Sequence, residues 1–205
     1  MLKITGRLSL AGIILSVIST TAGATESRLA PFMITGGKTS QPIGHYEFCL
    51  THREECAVKT PSEDRMRLTA ERWNELVAVN NTVNTKIGPA TDEELYGRAE
   101  FWTYPTTRGD CEDLVLLKRR ILEEKGWRTG SLLITVVRQR NGDGHAVLTV
   151  LTDRGDLVLD NLEPHILVWS ETGYQYVKRQ SEFDSGAWVA IDDGRATMEV
   201  GSLKN

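Results

Sequence analysis

The sequence predicts an α+β fold: helices packed on an antiparallel sheet, with a nucleophilic side chain at a helix N-terminus. Three observations carry that expectation. After Cys111, Leu114, Leu117 and Ile121 recur at helical spacing, and Cys111 lies three residues before Leu114 on the same side. Downstream, apolar β-branched runs separated by turn residues read as an antiparallel meander packed on that helix. Cys111, His145 and Asp160 also follow one another in the order nucleophile, base, orienter of the base.

From the N-terminus, the first element reads as an export signal. Lys3 and Arg7 form a basic start, residues 8–18 an apolar run too short for a confident bilayer span, and Ala22-Gly23-Ala24 a small-x-small cleavage site. An uncleaved membrane anchor is the alternative reading of this run. Cleavage after Ala24 divides the chain into a signal peptide, 1–24, a Gly-, Ser- and Thr-rich extended lead-in, 25–45, and one domain, 46–205, large enough to bury a sizeable core. Loss of Lys3 and Arg7 from 24 basic residues leaves 22 against 28 acidic ones, a net charge of −6. That balance argues against nucleic-acid binding and provides no basic patch for lipid. No further apolar run is long enough to span a membrane, so the processed product is expected to be soluble and exported.

Three cysteines is an odd number. In an oxidising compartment the expected partition is a Cys49–Cys56 disulfide in a loop-like stretch and a free Cys111. The rival is a zinc site, because His45, Cys49, His52 and Cys56 have zinc-like spacing.

Residues 69–86 read as a helix capped by Thr69, with Trp73, Leu76, Val77 and Val83 on its apolar side. Thr60-Pro61-Ser62-Glu63 has the form of a capping box and offers an earlier start. Residues 92–99 read as a short helix. Trp102 lines a substrate groove or joins the core. Gly109-Asp110 suits the entry to the Cys111 helix and Gly126 its close. Residues 131–137, 145–151 and 157–160 read as strands with turns at 141–144 and 153–156, and residues 174–177 and 188–191 as late strands.

In the first turn of its helix, Cys111 meets free N–H groups and the positive helix end, which lower a thiol pKa and suit a developing oxyanion. Asp110, Glu112 and Asp113 act the other way, because neighbouring negative charge raises a thiol pKa. A cation held by these carboxylates, with calcium the natural match to hard oxygen ligands, would compensate. The alternative is that acidic residues simply favour a helix start. His145 begins a strand beside a turn, and Asp160 ends the next strand. If Asp153 paired with Asp156 around a two-residue turn, Thr149 would face Asp160 and His145 would lie about 13 Å away along the strand. A triad therefore requires a wider loop that pairs His145 or Val147 with Asp160, or a strongly bent strand.

Trp102-x-x-Tyr-Pro105, Gly109-Asp110-Cys111-Glu112-Asp113, Gly144-His145-Ala146-Val147-Leu148 and Leu159-Asp160-Asn161 together resemble the bacterial transglutaminase-like cysteine proteinases. That group includes the LapG-type periplasmic proteases, which trim large surface adhesins during biofilm dispersal. The resemblance spans roughly residues 65–180, an ordinary domain length. It implies a papain/transglutaminase-like domain with Cys111 as nucleophile, His145 as base, Asp160 as orienter, and calcium held by Asp110 and Glu112. It further implies periplasmic location, a protein substrate of the surface-adhesin kind and an inner-membrane receptor as partner. The chain departs from the pattern by being short after the third strand. It also lacks the papain-type Gln before the nucleophile, since the sixth residue upstream is Pro105. The Cys111 backbone N–H and one other group are then the expected oxyanion donors. Hydrolysis through an acyl-enzyme is the expected chemistry; transfer of the acyl group to an amine, or receptor and adhesin binding without catalysis, are the alternatives.

Overall fold

The computed structural model describes Met1 and residues 30–61 and 65–194; apart from Met1, the expected signal peptide lies outside the described residues. The chain forms β1 (Ile34–Thr39), α1 (Ile43–Thr51), α2 (Ala70–Lys86), β2 (Gly88–Pro89), α3 (Asp92–Tyr96), β3 (Arg108–Gly109) and α4 (Cys111–Glu124). The remainder is largely strand: β4 (Leu132–Arg138), β5 (Gly144–Thr152), β6 (Gly155–Leu159), β7 (Leu167–Val168), β8 (Gln175–Gln180) and β9 (Trp188–Asp192). Seven of these strands make one antiparallel sheet in the order β1-β9-β8-β4-β5-β6-β7, which bears out the α+β expectation. Residues 34–45, read as an extended lead-in, instead supply the edge strand β1, paired with β9, and the first turn of α1.

Apolar side chains alternate between the two faces of the sheet, as the two-residue strand period requires. One face, with Ile134, Ala146, Leu148 and Leu159, packs with α2 and α4 around Leu76, Val83, Leu114 and Leu122. The other carries Val137, Val147, Val158, Trp169 and Tyr176. Trp102 belongs to the first core and sets its ring edge on His45.

The helices follow their sequence signals with two corrections. In α2, Thr69 caps through a hydrogen bond from the Arg72 N–H. The side it buries is Leu76, Val79, Asn80 and Val83; Trp73 is exposed and Val77 half-buried, because the stripe facing α4 is turned away from them. The earlier start is not used: Met66 bridges to Thr152 in a strand-like pairing, so the helix begins only after it. In α4, Leu114, Val115, Lys118 and Leu122 are buried, while Leu117 and Ile121 are half-buried.

The β5–β6 hairpin decides how Asp160 meets His145. Its last pair is Thr152 with Gly155, around Asp153-Arg154. Gly155 holds φ +141°, a conformation closed in practice to other residues, and so fixes the turn one position earlier than an Asp153–Asp156 pairing. Leu148 then faces Leu159, and the next step of the ladder sets Asp160 opposite Val147, two residues from His145 on the same face. The pairing a triad requires is reached by moving a two-residue turn, without a wider loop.

Candidate active site

A short parallel pairing of β2 with β3 delivers the chain to the start of α4. Gly109 is the last residue of β3, and a Cβ there would lie 2.7 Å from Asp113 Oδ2 and 3.0 Å from the Pro105 Cβ. Only a residue without a side chain lets the entry fold this tightly under the helix. Asp110 is the N-cap, its carboxylate accepting from the Asp113 N–H, and Cys111 is the first helical residue.

Cys111 and His145 line one cleft of about 570 Å³, whose walls include Pro89, Gly109, Gln139 and Leu162. The backbone N–H of Ala146, the residue after His145, works to lower the Cys111 thiol pKa, so the start of α4 faces the start of β5. His145 Nε2 lies 2.8 Å from Asp160 Oδ1, with both side chains 2% exposed. The same oxygen accepts from Leu162 N–H at 2.9 Å, and Oδ2 accepts from the Tyr174 hydroxyl. Burial works to raise the Asp160 carboxyl, but the bonds from His145, Leu162 and Tyr174 overcome it and hold the group below its ordinary range. Asp160 is thus an ionised acceptor; it fixes the Nε2–H tautomer and leaves Nδ1 as the basic nitrogen. Asn84 of α2 secures the backbone here, donating to the Asp160 carbonyl at 2.7 Å.

A family model, described as bacterial transglutaminase-like cysteine proteinase, matches residues 35–196. The chain belongs to that family. Three structures of Legionella pneumophila LapG are similar to this bacterial transglutaminase-like cysteine proteinase. One is 28% identical over 57% of this chain and 66% of that one, with a TM-score of 0.48. An EGTA-treated form is 27% identical over 59% and 71%, with a TM-score of 0.49. A calcium-bound form is 23% identical over 79% and 88%, with a TM-score of 0.51, a likeness of fold. Searched against curated proteins, the chain finds no match. Membership makes this a cysteine peptidase of transglutaminase-like fold. No helix among the described residues is long and apolar enough to cross a membrane.

The thiol of this proteinase is held in its protonated form. Burial raises its pKa far above the usual value, and the adjacent Glu112 charge adds to it; the Cys111 sulfur donates to Glu112 Oε2 at 2.9 Å. Of the two residues expected to hold calcium, Asp110 converges with Asp92 and Asp113, one carboxylate oxygen of each lying within 4.8 Å of the others. Glu112 lies outside that trio, but its charge helps to raise the Asp110 carboxyl. Burial raises the Asp92 carboxyl and takes those of Asp110 and Asp113 up to about 7. The cluster is tied to the preceding loop, with Phe101 N–H donating to Asp92 Oδ2 and Thr103 N–H to Asp113 Oδ1 at 2.9 Å. The other two oxygens, Asp92 Oδ1 and Asp113 Oδ2, are buried and have no hydrogen-bond partner among the described residues. Three converging acids with spare buried oxygens fit a hard divalent cation.

Cys49 and Cys56 form the expected disulfide, with Cys49 on α1 rather than in a loop, and Cys111 is the free thiol. The zinc reading fails on that bond. His45 stays a neutral core residue, its pKa lowered to about 4 by burial and by Arg119. The sequence reading missed Asp92, Tyr174, Asn84 and Lys118. In the fold, Thr91 and Glu94 form a capping box that sets Asp92 in the first turn of α3. For Tyr174, sequence offered only a late strand.

Proposed function

We propose that this chain is an exported, calcium-dependent thiol endopeptidase that processes surface or adhesin proteins through an acyl-enzyme. The observation that carries the reading is the buried His145–Asp160 bond in the cleft that Cys111 lines. His145 Nδ1 takes the Cys111 proton, and the thiolate attacks the peptide carbonyl. The C–N bond breaks as the imidazolium protonates the leaving amine; water, deprotonated by His145, then hydrolyses the thioester. N–H groups at the start of α4, that of Cys111 first among them, are the donors for the oxyanion.

Asp92, Asp110 and Asp113 would hold the calcium, with Glu112 at its edge. Bound there, the ion supplies positive charge that offsets the carboxylates crowding the sulfur. A LapG from Legionella has been seen calcium-bound, and the spare oxygens of this cluster support the same for this chain. The basic, apolar and small-residue segments of residues 1–24 support export to the periplasm, where an inner-membrane receptor would be the partner.

The test is cleavage of surface proteins with calcium, with chelator, and with calcium restored. Loss and recovery of activity are expected; cleavage indifferent to chelator contradicts calcium dependence. Product analysis with added amine separates hydrolysis from acyl transfer.

A further inference from the structure

A second pocket lies on the far side of Asp160 from the thiol cleft, with a volume of about 420 Å³, the size of an ordinary ligand site. The two adjoin at one residue. Gln139 lines both, and the segment after β6 divides them: Asn161 and Leu162 face the cleft, Asp160 and Glu163 the pocket.

The charges in the pocket are spent, with one exception. Asp160 is used by His145, Leu162 and Tyr174. Glu163 and His165 pair at 2.8 Å. Asn141 donates to Asp143 at 2.7 Å. Arg140 also lines the pocket, and no ion pair or hydrogen bond engages its guanidinium among the described residues.

Arg140 is also well placed. It sits in a turn closed by Gln139 N–H to the Asp143 carbonyl and Gly142 N–H to the Gln139 carbonyl, both at 2.9 Å. Its guanidinium lies across Gly173, where a Cβ would come within 2.9 Å of Nε and 3.1 Å of Nη2. Any side chain at residue 173 would push it aside. A planar, permanently charged fork held over a pocket is suited to one chemistry above others, two-point capture of a carboxylate.

We propose that this pocket is a second substrate subsite, in which Arg140 takes an Asp or Glu side chain of the polypeptide whose scissile bond lies at Cys111. The proposal rests on the peptidase reading, and binding separates the two. Full-length Cys111→Ala protein, with calcium, is used to select from a displayed library of random decapeptides. Acidic residues should be enriched at one position, and adding Arg140→Glu should replace them there with Lys or Arg. The peptide selected without that change should bind the Arg140→Glu form about fivefold more weakly or worse, the ordinary worth of an exposed ion pair. Gly173→Leu should weaken it similarly while leaving the circular dichroism spectrum unaltered. Absence of an acidic preference, or one that survives Arg140→Glu, overturns the subsite. The selected peptides are then offered to the protein with Cys111 intact. Failure to cleave them contradicts the peptidase reading while the binding result stands by itself.

Discussion

Asp160→Asn tests how much of the catalytic power rests on one buried charge. The side chain keeps its size but loses its charge, and one acceptor oxygen becomes an NH₂ donor. Asp160 accepts from three donors, His145, Leu162 and Tyr174. The amide cannot serve them all. If its NH₂ turns to Tyr174, His145 keeps a neutral acceptor, but the imidazolium formed during attack loses its counter-charge. Two opposite charges about 4 Å apart in a partly shielded protein site are worth roughly 4 kcal/mol. That corresponds to about a thousandfold in kcat. If the NH₂ turns to His145, the ring adopts the other tautomer, Nδ1 carries the proton and the loss is larger. Kinetics on a fluorogenic peptide at saturating calcium should therefore show kcat down about 10³-fold or more with KM little changed. Tyr174→Phe, which removes one neutral donor and leaves the charge, should cost about tenfold or less. The pH dependence has a definite sign. The Asp160 carboxyl is held below its ordinary 3.8, so its contribution to stability is complete above that value and is lost as pH falls further. A folded Asp160→Asn protein with kcat within tenfold of the parent refutes the triad role of this residue.

Two more predictions concern charge elsewhere in the site. Without a cation the Asp110 and Asp113 carboxyls lie at about 7, so calcium must displace protons at mildly acid pH; titration calorimetry should find tighter binding at pH 8 than at pH 6, with proton release at pH 6. Equal affinity and no proton release would remove the cluster from the metal site. Lys118 is fully buried on α4 with no hydrogen-bond partner for Nζ among the described residues, and burial lowers its pKa from 10.5 to about 7 against the pull of Asp160. The cost of the buried ammonium is complete below pH 7, declines between 7 and 10.5, and is gone above. Lys118→Met should thus raise stability by roughly 2–4 kcal/mol at pH 6 and by much less near pH 10. A Tm gain equal at both pH values contradicts that assignment.

The α4 entry, its Gly126 close and the three-strand meander were legible because each rests on local chemistry: helical spacing, a capping Asp, and turn residues between β-branched runs. The pairing of Cys49 with Cys56 was legible from compartment and chain separation. The hairpin register was not, because it turned on which of two adjacent positions needs a positive φ, and Gly155 answers that only in three dimensions. The acidic cluster was half legible. Asp110 and Asp113 are neighbours in sequence, whereas Asp92 joins them through the fold, with Phe101 and Thr103 donating to the cluster. Glu112, also expected as a ligand, sets one oxygen on the thiol from the first turn. Lys118 ran against expectation, since a charged residue in an amphipathic helix ordinarily marks the solvent side.

On the proposed mechanism Cys111 cuts polypeptides through an acyl-enzyme. The most direct measurement incubates calcium-loaded protein, and its Cys111→Ala form, with surface proteins from the parent cell and identifies new N-termini by mass spectrometry. A discrete set of new N-termini is expected with the parent protein and none with Cys111→Ala, while both give the same circular dichroism spectrum. The same new N-termini from Cys111→Ala contradict it.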